Sequence, residues 1–96
     1  MRPPTSQDFQ RELNYILASS RQQGKFYIDV RAGDLHRRVG GYPGKNARMP
    51  VCCEVMRRNM RLGDEILQQP PKGNGANLVI RYYLHLPPKE IEKNQR

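Results

Sequence analysis

Apolar positions recur at helical spacing from the start of the chain, with Phe9, Leu13, Ile16 and Leu17 on one side of a rod and Arg11, Glu12, Asn14 and Arg21 largely on the other. Thr5 and Ser6 offer side-chain oxygens to the free amides of a helix start, and Asp8 in the first turn favours the helix dipole. Gly24 accepts the left-handed conformation that ends helices, so the pattern predicts an amphipathic helix of about four turns. Residues 25–30 then alternate. Phe26, Ile28 and Val30 face one way and Lys25, Tyr27 and Asp29 the other, which predicts a short strand. Over residues 32–39, Leu35 and Val39 lie four apart with His36, Arg37 and Arg38 outward, a helix of about two turns that Gly40 and Gly41 stop.

Residues 40–48, GGYPGKNAR, form a turn or loop, and Pro50 fits the first position of the next helix, where its missing amide proton costs nothing. Projecting residues 50–61 on a helix puts Cys52, Val55, Met56 and Met60 inside and Glu54, Arg57, Arg58 and Arg61 outside. Residues 64–69 and 78–84 read as two antiparallel strands joined by PPKGNGAN, with a mobile tip at Lys72-Gly73-Asn74-Gly75. In the second strand Leu78, Ile80, Tyr82 and Leu84 alternate with Val79, Arg81 and Tyr83. The expected organisation is a flexible leader at 1–4, one α+β domain at 5–86, and a charged flexible tail at 87–96 that is too poor in apolar residues to fold alone.

Ninety-six residues with 36% apolar content support a single modest core. Seventeen Lys and Arg against nine Asp and Glu give a net charge of +8, and the excess lies largely between Lys25 and Leu84, not in a tail. Most of the cations are Arg, whose planar fork suits bidentate contacts to phosphate or guanine, so nucleic acid leads as the partner class. No apolar run has the length of a signal peptide or membrane span, and adjacent Cys52 and Cys53 match neither a disulfide framework nor a zinc pattern. A cytoplasmic protein without a membrane partner is expected.

The order helix, strand, helix, helix, strand, tip, strand resembles the winged helix-turn-helix family over residues 5–84. The resemblance implies three helices packed on a small antiparallel sheet with a β-hairpin wing. It also implies that the third helix enters the major groove of duplex DNA while the wing touches the neighbouring backbone. Carried onto this chain, Arg57, Arg58 and Arg61 fall on the reading helix and Lys72 and Asn74 on the wing, with Lys45 and Arg48 just upstream as further phosphate contacts. The link between the two central helices is longer than the three- or four-residue turn of simple helix-turn-helix units. A regulator or accessory DNA-binding module is the expected role.

Other chemistries fit less well. GGYPGKN lacks the glycine spacing of a phosphate loop and has Asn46 where the metal-binding hydroxyl belongs. His36, Asn59 and His85 invite comparison with a metal-dependent His-Asn-His nuclease, but the strand-strand-helix unit that holds such a metal is not predicted. No nucleophile, base and acid assemble, so no enzyme activity, metal or cofactor is expected. The rival reading is a protein-interaction adaptor whose basic helix docks an acidic partner, with a homodimer formed through the first helix or through Val79 and Tyr83.

Overall fold

Thr5 starts the first helix as the sequence predicts. Its side chain accepts from the Asp8 amide, and its own amide donates to the Asp8 carboxylate at 2.8 Å, a reciprocal capping box. Helix α1 runs Ser6–Gln22 and closes before Gly24, whose φ of +81° turns the chain into strand β1, Tyr27–Arg31. Helix α2, Ala32–Val39, follows directly, then helix α3, Met49–Arg58, and strands β2, Glu65–Gln68, and β3, Val79–Tyr83. The computed structural model describes residues 2–85, so the expected tail at 87–96 lies outside the described residues.

The sheet is antiparallel with order β1-β3-β2, so the last strand lies between the other two. Val30, Ile80 and Ile66 are register partners; in the buried row Leu78, Ile80, Tyr82 and Leu84, the first three cluster with Phe9, Leu13, Leu35, Val55 and Met56 from the helices. The three helices also pack on one another. A register shift between Ile66 and Gln68 leaves Leu67 exposed at the edge. The other face of the sheet carries Tyr27, Asp29, Arg81 and Tyr83; Arg81 makes two hydrogen bonds to the Asp29 carboxylate and lies 4.0 Å from the centre of the Tyr27 ring. This is a mixed α+β fold, three helices on a small three-stranded antiparallel sheet.

Three sequence expectations need correction. The strand begins at Tyr27, so Phe26, expected in the strand on the same side as Ile28 and Val30, lies beyond its start, 75% exposed and edge-on to His85. His36 is fully buried, not outward. Helix α3 stops at Arg58, which leaves Arg61 outside it.

The early stop of α3 follows from how its last carbonyls are satisfied. Val55 O accepts both the Asn59 amide and Asn59 Nδ2, Arg57 O accepts the Met60 amide, and Met56 O accepts the Tyr82 hydroxyl at 2.8 Å. Asn59 is in turn clamped to Gln10 of α1 by paired amide bonds of 2.9 and 2.8 Å. The chain then turns, with Asp64 Oδ2 accepting the Arg61 amide and Asp64 Oδ1 the Tyr83 amide.

Tyr82→Phe strands the buried Met56 carbonyl without its donor and is expected to cost about 1–3 kcal/mol in urea unfolding. The Asp8 carboxyl is held below its ordinary value of 3.8, first by the hydrogen bond from the Thr5 amide. A depressed folded value stabilises the protein above the unfolded value and loses that stabilisation as pH falls through the folded one. The stability difference between the wild type and Asp8→Asn is therefore expected to be largest near neutral pH and to shrink below pH 3.8, as read from paired urea curves.

Candidate nucleic-acid interface

The long link between α2 and α3 is anchored by the histidine that the helical pattern turns outward. His36 Nε2 accepts the Arg48 backbone amide at 2.8 Å, while its ring meets Phe9 edge-on at 4.8 Å and the link residue Tyr42 at 5.3 Å. An accepting Nε2 assigns the ring proton to Nδ1, which is buried without a partner among the described residues. Arg48 is the N-cap of α3, so this bond ties the start of the third helix to α2, with Pro50 in its first turn. Arg37 lies over the outer side of Tyr42 at 5.6 Å.

From that start, the inner side of α3 buries Cys52, Cys53, Val55 and Met56. Burial, followed by the neighbouring Cys53, pushes the Cys52 thiol up to about 12, which makes it a packing group that donates to Ala32 O. Cys53 Sγ lies 3.4 Å from both the carbonyl and the amide of Gly75 and ties the base of the hairpin to the helix. On the outer side are Pro50, Val51, Glu54, Arg57 and Arg58, and with Asn74 they line an open groove of about 660 Å³ between helix and hairpin.

The tip, expected to be mobile, makes contacts with α3. Arg57 Nη1 donates to Asn74 Oδ1 at 2.8 Å and Nη2 donates to the Gly73 carbonyl. Closer to the strands, the amides of Ala32 and Gly33 donate to Leu78 O and Ala76 O, joining the hairpin to the start of α2. That approach needs glycine: a Cβ at Gly33 would lie 3.1 Å from Ala76 Cβ and 2.8 Å from Arg31 Nη1. Gly75 similarly lies against the buried Pro70.

The structure thus brings together Arg57 and Asn74, with Arg58 beside them, and leaves Lys45, Arg48, Arg58 and Lys72 exposed around the same helix and hairpin. Arg61 is separated from this group. Its guanidinium donates to Tyr83 O, at the end of β3 away from the hairpin tip, where Arg21 likewise donates to Leu84 O.

Charge is unevenly compensated. Among the described residues the ion pairs are Arg11 with Asp8, Arg31 with Asp34, Arg38 with Glu12 and Arg81 with Asp29, on α1, α2 and the sheet. None falls on α3 or the hairpin tip, and the one acid of α3, Glu54, is in no ion pair.

His36, Asn59 and His85 occupy three separate surroundings: the packed helix interior, the Gln10 clamp and the Phe26 ring. Among the described residues no group of three or more His, Cys, Asp and Glu could hold a metal ion, and no helix is long and apolar enough to cross a membrane. Sequence reasoning missed His36 and the pairing of Arg57 with the tip. For His36 a signal existed, since an aromatic residue beside Leu35 widens the apolar stripe of a short helix. For Arg57 there was none, because the pairing depends on the path of the hairpin. No protein-family model, curated protein or solved structure matches the chain.

His36→Leu keeps the bulk but removes the acceptor of the Arg48 amide. It is expected to lower stability by about 1–3 kcal/mol and to speed hydrogen exchange at Arg48, measured by urea unfolding and amide exchange.

Proposed function

We propose that this chain is a winged-helix-type module that grips duplex DNA through the outer side of α3 and the hairpin as its wing. The observation that carries the reading is the placement of uncompensated charge. Every ion pair among the described residues lies away from α3 and the wing tip, while Lys45, Arg48, Arg58 and Lys72 extend from that surface without one. Guanidinium and ammonium groups in this setting attract phosphates and release counterions on contact. The groove supplies a second support, since the apolar Pro50 and Val51 beside Arg58 suit a surface of sugar edges between phosphates. Its mechanism is contact, and Arg61, turned toward Tyr83 O, stands outside the grip.

The test is fluorescence anisotropy with a labelled random-sequence duplex across a salt series. Binding is expected to weaken linearly on logarithmic axes, with the slope rising by about 0.9 for each phosphate neutralised. The triple variant Arg48→Ala, Arg58→Ala, Lys72→Ala is expected to flatten the slope by roughly 3 and to lose more than about tenfold in low-salt affinity. An unchanged slope would move the site elsewhere. Failure to bind any duplex at low salt would return the surface to the acidic-partner reading.

A further inference from the structure

We propose that Arg57 is an exchangeable latch: in the free protein its guanidinium holds the wing tip down on α3, and a phosphate group takes that guanidinium over and releases the tip. The proposal rests on the duplex-binding reading and assigns Arg57 and Asn74 roles different from those of Arg58 and Lys72.

The geometry is specific. Arg57 lies on the outer side of α3 and meets no carboxylate within ion-pair distance among the described residues. Its full positive charge is satisfied by two neutral acceptors, Asn74 Oδ1 and Gly73 O. A phosphate oxygen pair offers the same fork of two acceptors and adds a negative charge, an ion-pair attraction that the amide and carbonyl oxygens lack. An amide and a carbonyl are therefore outcompeted once a polyanion reaches the groove.

The tip can leave without unfolding the rest. Its base has separate attachments: Cys53 to Gly75, the Leu78 amide to Gly75 O, and Ala76 O and Leu78 O to the start of α2. The hydrogen bonds that run from Gly73 and Asn74 to α3 both come from Arg57. When that guanidinium moves to a phosphate, Gly73, with φ of +87°, serves as a pivot and Lys72 swings outward with the tip. Seated, the tip narrows the groove; released, it opens the groove to the duplex.

The two roles for Asn74 predict opposite signs, which decides the matter. Under the latch, Asn74→Ala weakens the closed state and tightens duplex binding about threefold to tenfold. Under a direct contact it weakens binding. Arg57→Ala is expected to flatten the salt slope by about 0.9, because Arg57 ends on a phosphate; a purely structural Arg57 would leave the slope unchanged.

Side-chain NMR of the Arg57 Nε–H group and the Gly73, Asn74 and Gly75 amides follows exchange directly in the full chain, with the duplex and with inorganic tripolyphosphate as probes. Both sets of resonances are expected to shift together, and the dispersion of core amides shows that each variant remains folded. Weaker or unchanged duplex binding by Asn74→Ala, or an Arg57 signal that stays put while the duplex binds, overturns the latch and leaves the duplex reading standing. Joint shifts with tripolyphosphate but no duplex binding support the latch and sink the duplex reading. No response to either probe overturns both.

Discussion

The central strand β3 is the constraint on which this small fold depends. Both other strands pair with it, its buried row Leu78, Ile80, Tyr82 and Leu84 is the surface on which the helices rest, and the Tyr82 hydroxyl satisfies a carbonyl at the end of α3. A chain with so few apolar residues has one core, and side chains of this strand lie in it beside those of all three helices. Burial holds the Tyr82 hydroxyl well above its ordinary range, so it remains a neutral donor to Met56 O. The hairpin loop leads straight into β3, which couples the placement of its base to the packing beneath it.

Charge placement follows from the same architecture. The first two helices and the sheet carry acids at positions where the fold brings a partner: Glu12 on α1 faces Arg38 on α2, and Asp29 on β1 is the register partner of Arg81 on β3. Neighbouring opposite charges on these elements cancel each other's field within a few ångströms. The only acid of α3 is Glu54 and the hairpin loop at 70–77 carries none, while the cations of the link and tip are exposed. A positive surface results from where the acids are lacking more than from where the arginines are concentrated.

Much of the fold was legible in the sequence because its signals are local. The helix start at Thr5 with Asp8 in the first turn, the stop at Gly24 and the period-two alternation of residues 78–84 each act over a few residues, and each appears where expected. The failures involve contacts between distant segments. His36 reads as outward when α2 is projected alone, yet Phe9 from α1 and Tyr42 from the link enclose it from two further sides. Arg61 reads as helical by spacing, but the Gln10 clamp on Asn59 and the Asp64 turn end the helix a turn early. The candidate site was legible as a set of cations and not as an arrangement: Lys45, Arg48, Arg58 and Lys72 surround one helix, while Arg57 and Asn74 satisfy each other.

That last pairing joins surface chemistry to the core by a short path. One turn of α3 carries Cys53, which meets the hairpin base at Gly75, and Arg57, which grips its tip at Gly73 and Asn74, four positions apart on the same helix. The first contact is made by a buried thiol to backbone and lies partly shielded from solvent. The second is exposed, and its strength depends on what else offers oxygen atoms to a guanidinium. A hairpin fixed at its base by a thiol inside the protein and at its tip by a cation outside it has a rigid root and an end answerable to anions. Because the two grips are separate contacts of one helix, loss of the outer one would leave in place the inner one and the core on which β3 depends.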